Sequence, residues 1–424
     1  MRLHRTDAAI ASVLATAAVC LLLLGAARAQ DEAPPPEPTR FGVVFDVGLV
    51  PSEKSAHVEI RISDPADAVE WLRFDFDDAR YRAIEGDGRL ETDQDGTRWT
   101  PPAGGGTLRY VHAIDHLRSE GEYDARCAKK WALLRGQDLV PRVRIRTTPR
   151  AESDSTLRLR LPEGWSAALP YARLSNGRYD LSTPRTRFDR PSGWFAFGRL
   201  GVARETVEDM RLAIAGPAGQ GIRRMDVLAL VRWVAPEMSR LFGGLPDRYQ
   251  VVIAGDPMWR GALSAPRSAY LHVDRPLIES DGSSPLLHEM IHSLMHARSA
   301  RDGRWIVEGL AEYYSMALLR RSGTLSPERY ERAIDRIGER AAPAAAPLDG
   351  EMNGALRARS VVVLLRLDAV IRDATAGARS LDDVVRSLAR QDRRITTDGL
   401  RETAAELAGR ELDAFFDALP FEAE

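Results

Sequence analysis

The sequence predicts an α+β protein in which an antiparallel β-sandwich precedes a small mixed sheet and a helical remainder. Two observations carry that expectation. From Phe41 to about Arg204, short apolar alternations are separated by turn residues, whereas after Pro285 the apolar residues recur at helical spacing. Composition agrees: 424 residues with 44% hydrophobic and 28% charged suffice for two or three cored domains and exclude a disordered chain. The formal net charge is −2, and of 59 basic residues all but Lys54, Lys129 and Lys130 are arginine. Without a clustered basic excess, no nucleic-acid partner is expected.

The elements follow in order. Residues 1–29 read as an export signal: Arg2, His4 and Arg5 precede an apolar run from Ala8 to Gly25, and Ala27-Arg28-Ala29 offers the small residues of a cleavage site. Cleavage after Ala29 implies a periplasmic or secreted protein with no stable membrane span, and leaves Cys127 as a lone thiol. Residues 30–40, with Pro34-Pro35-Pro36 and Pro38, read as an extended linker. The β-sandwich is expected over 41–204. Its strands include Val58–Ile62, Leu72–Phe76, Leu108–Ile114 and Val143–Ile145, with turns at Gly86-Asp87-Gly88, Asp95-Gly96, Gly104-Gly105-Gly106 and Asn176-Gly177. A second domain is expected over 205–424, with its sheet and a functional helix in 205–300 and a helical part in 301–424. Met210–Ala215, Tyr249–Ala254 and Tyr270–Val273 read as strands. Ile222–Leu241, Leu286–Ala297, Trp305–Arg321, Pro327–Arg340, Val361–Arg372, Ser380–Arg390 and Thr397–Leu419 read as helices.

The chemistry sits in one segment. His288-Glu289-Met290-Ile291-His292 puts two imidazoles at i and i+4, about one helical turn apart on one face, where they can share a metal ion. Glu289, one step round the helix, can then serve as general base. Ser284 and Pro285 supply the N-cap and first helical position. A catalytic zinc takes a third protein ligand. Glu308 and Glu312, themselves at i and i+4 in Trp305–Tyr314, both lie within reach, and spacing alone does not choose between them. No Gly-rich strand-to-helix turn of the kind a nucleotide or flavin needs is present.

The pair HEMIH and WIVEGLAEYY resembles the gluzincin zinc metallopeptidases. Within them the chain is most similar to the glycyl aminopeptidase family, through EGLAEYYSMALLRRSGTLSPERY, LRLDAVIRDATAGARSLDDVVRSL and GRELDAFF between Glu308 and Phe416. The resemblance implies a zincin-like catalytic domain behind a β-rich front half and one zinc ion held by His288, His292 and Glu308. It further implies that Glu312 orients a ligand histidine and that the substrate is a peptide or protein. Two departures stand out. The family's oxyanion-stabilising tyrosine would fall on Leu356 or Arg357, which leaves Arg357, Tyr314, Tyr270 and His296 as candidates. The Gly-rich cleft segment carries a glutamate in relatives, but Arg260-Gly261-Ala262-Leu263-Ser264-Ala265-Pro266 has no acid. Gly261, Ala262, Leu263 and Ser264 are therefore expected to line a cleft without an anchor for a terminal ammonium, which suits an endopeptidase better. The alternative is a catalytically impaired zinc-binding protein that serves as a binding partner or scaffold.

Overall fold

The computed structural model describes residues 37–119, 121–183, 186–295, 299–342, 347–391 and 393–421. The expected export signal (1–29) and most of the expected linker lie outside them, as does His296. Among the described residues no helix is long and apolar enough to cross a membrane.

The front half is built from strands whose alternation sorts their faces. In Ser55–Asp64, Ala56, Val58, Ile60 and Ile62 are buried while His57 and Arg61 face water. That strand sits inside a seven-stranded sheet, between Arg40–Val50 and Gly104–Ala113. Four-stranded and five-stranded sheets share its core, where Phe41 and Phe45 meet Phe74 and Trp99 from one and Phe195 and Phe197 from the other. Two expectations need correction. Arg40–Gly48 pairs with Glu152–Arg160 in parallel, so this sheet is not wholly antiparallel; alternation reports which face is buried, not strand direction. Gly104-Gly105-Gly106 opens a strand rather than forming a turn. At Gly105, with φ of +109°, a Cβ would lie 2.1 Å from the Ile62 carbonyl oxygen, so the glycine serves close strand approach.

The second half holds a five-stranded mixed sheet: β1 (Leu200–Val207), β2 (Met210–Pro217), β3 (Arg248–Ala254), β4 (Ala262–Ala265) and β5 (Ser268–His272), in the order β1-β2-β3-β5-β4. β1 spans the expected boundary near 204 and pairs with β2 along its whole length. Helix α1 (Arg224–Phe242) makes the crossover between the parallel strands β2 and β3. Its buried stripe runs through Val227, Val231, Val234, Met238 and Leu241, each worth about 1.5–3 kcal/mol if fully removed from water. It ends at Gly243, whose φ of +75° forms the left-handed cap.

The remaining helices are α2 (Pro285–Leu294), α3 (Arg304–Arg321), α4 (Pro327–Ala341), α5 (Gly354–Ala374), α6 (Leu381–Arg390), α7 (Thr397–Ala408) and α8 (Asp413–Phe416). Three bounds differ from expectation. α2 stops at Leu294. α5 begins at Gly354 because Asn353 caps it, its Oδ1 accepting from Leu356 N at 2.9 Å, which puts Leu356 and Arg357 inside the helix rather than ahead of it. The last expected helix breaks at Gly409, φ +65°, leaving the short α8.

The two halves are joined through a buried seam. Leu133, Trp194 and Ala196 of the front pack against Ala215, Val252 and Tyr270. Gln250 Nε2 donates to the carbonyls of Ala168 and Trp194, each at 2.9 Å, and Trp194 Nε1 donates to Leu263 O at 3.0 Å.

One buried group in the front half makes stability depend on pH. His112 is fully enclosed, Arg80 approaches its Nε2 at 3.4 Å, and its Nδ1 has no hydrogen-bond partner. Burial, helped by the Arg80 charge, pushes the imidazole down to about 3. The unfolded chain, with an ordinary histidine near ~6.5, therefore binds more protons between those values. At neutral pH both states hold a neutral histidine and no proton-linked cost arises, and stability falls as pH drops through ~6.5, by up to ~1.4 kcal/mol per pH unit from this group. Denaturant titrations should show the stability gap between the wild type and His112→Asn shrinking from pH ~7 to ~4; a pH-independent gap would contradict it.

Candidate metal centre

Helix α2 forms where its sequence caps it. Ser284 Oγ accepts from Leu287 N at 3.3 Å, Pro285 occupies the first turn, and Leu286, Leu287, Met290 and Ile291 are buried in the main core of this half. Ser293 Oγ donates to Ala265 O at 2.6 Å, tying the helix to β4. The remaining face presents His288 and His292, whose Nε2 atoms lie 3.0 Å apart.

Helix α3 supplies the third group. Glu308 Oε2 lies 3.6 Å from His288 Nε2, and Glu308 Oε1 lies 3.5 Å from His292 Nε2. One ligand atom from each of the three residues fits within 4.8 Å of the others. A tetrahedral ion with bonds near 2.1 Å holds its ligand atoms about 3.4 Å apart. The observed separations bracket that value, and two nitrogens with one carboxylate oxygen suit zinc. The residues present thus fit the ion.

Position distinguishes the two glutamates that spacing left equivalent. Glu312, one turn beyond Glu308, does not share the Nε2 cluster; its Oε2 lies 3.4 Å from His288 Nδ1, on the far side of the ring. Arg340 lies 3.7 Å from its other oxygen. A carboxylate there holds the Nδ1 proton and leaves Nε2 free to coordinate. The same groups shift one another's protonation. Burial opposes protonation of His288, but Glu308 and Glu312 outweigh it and raise the ring to about 9. Burial and the neighbouring His288 charge take His292 down to about 4. Burial raises Glu308, yet the two histidines and Arg357 bring it down to about 2. Burial pushes Glu289 up, opposed by the His288 charge and by hydrogen bonding to Ser264.

These groups open on a cleft of about 1060 Å³. Glu289, Ala262, Leu263 and Ser264 line it, with β4 as the edge strand of the sheet. Gly261 does not; a Cβ there would lie 2.3 Å from the Trp259 ring, so its role is to seat that indole, which does line the cleft. Arg357 also faces in, its Nε 3.2 Å from Glu308 Oε2 but not aligned as a hydrogen bond. Tyr314 does not reach the site. It lies six residues past Glu308, about 240° round the helix, and its hydroxyl donates to Asp382 Oδ1 at 2.7 Å. Tyr270 is likewise engaged elsewhere, with Trp259 O at 2.9 Å. Sequence reasoning missed Trp259, Arg304, Arg393, Arg394 and Thr183, all of which line the cleft. Only Trp259, immediately before the expected Gly-rich segment, carried a local signal.

Neither a family model nor a curated protein sequence matches the chain. The architecture of β-rich front, mixed sheet and helical remainder is that of an aminopeptidase N-like fold. Among solved structures, an aminopeptidase N family protein from Idiomarina loihiensis superposes with a TM-score of 0.67, over 90% of this chain and 76% of that one, at 13% identity.

The approach of α3 to α5 is closest at Gly309. A Cβ there would lie 2.8 Å from Ser360 Cβ and from Leu364 Cδ1. Gly309→Ala gains about 1 kcal/mol of helix propensity but must push α5 aside, at about 1–3 kcal/mol. A lower urea midpoint at unchanged m-value is expected; a midpoint at or above wild type would show that α5 yields freely.

Proposed function

We propose that the chain is an exported zinc-dependent peptidase, with His288, His292 and Glu308 holding the ion and Glu289 acting as general base. The observation that carries this reading is the Nε2, Nε2 and carboxylate cluster at tetrahedral spacing on the wall of a cleft that also contains Glu289. A zinc ion bound there supplies Lewis acidity, polarising a carbonyl and making water easier to deprotonate. Glu289 takes the water's proton as it attacks and returns it to the leaving amine. Its enclosed position, which raises its proton affinity, suits both transfers. The free edge of β4 pairs with an extended peptide through backbone hydrogen bonds and lays the scissile bond across the site. Arg357 is the cation closest to the ligand glutamate and the candidate donor to the developing oxyanion. Export rests on residues 1–29 of the sequence.

The cleft's only described carboxylates are Glu289 and Glu308, both already engaged. With no further acid to hold a terminal ammonium, cleavage within a chain is favoured over removal of its first residue. A second reading, zinc binding without catalysis in a scaffold protein, is favoured by one observation. Among the described residues no tyrosine lines the cleft, so the oxyanion donor rests on Arg357.

Plasma mass spectrometry should find one zinc per chain, falling to background in Glu308→Ala. Glu312→Gln should keep the ion with affinity weakened roughly 10- to 100-fold. Loss of zinc in Glu312→Gln with retention in Glu308→Ala would reverse the two roles. Glu289→Gln should retain zinc while cleavage of a diverse peptide library falls by about 10²- to 10⁴-fold. Zinc-loaded wild type that cuts no library peptide would favour the scaffold.

A further inference from the structure

The cleft wall facing the metal centre is cationic. Arg304, Arg357, Arg393 and Arg394 line it, against the two carboxylates Glu289 and Glu308 among the described residues. Two of these charges are answered locally: Arg357 by Glu308 at 3.2 Å, and Arg393 by Glu402 at 3.2 Å. Arg304 and Arg394 are exposed, and among the described residues neither has a carboxylate partner.

Their placement is built rather than incidental. Arg394 lies on the segment between α6 and α7, Arg304 at the first position of α3. The segment is clamped to the start of α3 by several bonds. Ala300 N donates to Ile395 O at 2.9 Å, Thr397 N to Asp302 Oδ2 at 2.9 Å, and Trp305 Nε1 to Thr397 Oγ1 at 3.2 Å. Gly303 admits this approach, since a Cβ there would lie 2.0 Å from Ile395 O. Arg304 moreover stands where a helix prefers an acid. The first turn of α3 has none, and its amide dipoles add to the arginine charge instead of cancelling it. An arrangement that opposes helix stability yet faces a cleft is suited to an incoming anion.

The geometry points to a substrate that carries a carboxylate, recognised within the same cleft by Arg304 and Arg394. This rests on the peptidase reading of the same cleft and adds its specificity. The carboxylate is either the free C-terminus of the peptide or an Asp or Glu side chain, and both offer the planar group that a guanidinium holds through paired hydrogen bonds.

The test uses zinc-loaded Glu289→Gln protein and fluorescein-labelled short peptides of otherwise neutral sequence. One ends in a carboxamide, one in a free carboxylate, and one is a carboxamide with an internal Glu. Fluorescence anisotropy should show at least one carboxylate-bearing peptide binding roughly tenfold or more tightly than the neutral one. The tighter of the two identifies the source. Raised salt should shrink the preference. Adding Arg304→Gln and Arg394→Gln should abolish it, and Lys at both positions should restore part of it, with zinc content and circular dichroism unchanged. Equal binding of all three peptides, or a preference that survives the double variant, overturns the proposal. If wild type cuts neutral and acidic peptides alike and binding shows no preference, the peptidase reading stands and this one falls. Arginine-dependent carboxylate binding without any cleavage supports this site and removes the peptidase reading.

Discussion

Two imidazole nitrogens and a carboxylate held about one bond-pair apart are the constraint that the rest of the second half serves. Enclosed polar groups at such spacing are costly to assemble. The structure meets that cost by embedding both helices in a common apolar core, with Leu287, Met290 and Ile291 of α2 buried alongside Ile306, Leu310 and Ala311 of α3. It then adds charge partners around it: Glu312 behind His288, Arg340 behind Glu312, and Arg357 beside Glu308. The cluster is thus a property of the helix pair rather than of any single residue. Gly309 sets how closely α5 can lie against it.

The front half reaches the site indirectly. Trp194 and Gln250 bind the two halves through backbone carbonyls, and Trp194 holds β4 at Leu263. Ser293 ties the histidine helix to the next residues of the same strand. One short strand thereby answers to both the sandwich and the histidine helix, which fixes the cleft wall relative to His288 and His292. An edge strand so restrained is preorganised to receive an extended chain.

What the sequence made legible follows from how local each signal is. The histidine pair, its cap and the position of Glu289 beside it are readable because i, i+4 spacing and N-cap chemistry act within one turn. Glu308 and Glu312 were equivalent by spacing, and only the ring orientation of His288 separates them. Tyr314 failed as a site residue because proximity in sequence was weighed without its angle round the helix. The parallel pairing of Arg40–Gly48 with Glu152–Arg160 was hidden, since face alternation is the same for either direction. The start of α5 was misplaced because Asn353 was not credited as a cap. Arg304 and Arg394 were invisible for a different reason: their sharing of one cleft depends on contacts such as Asp302 with Thr397, 95 residues apart.

That last separation has a temporal side. During folding the histidine helix and Glu308 can find each other early, because few residues lie between them. The cleft wall carrying Arg393 and Arg394 closes only when a segment 95 residues further along the chain returns to the loop before α3, and such long-range closure is the slow part of folding. A folding chain can thus bring His288, His292 and Glu308 together while the cleft beside them is still half built.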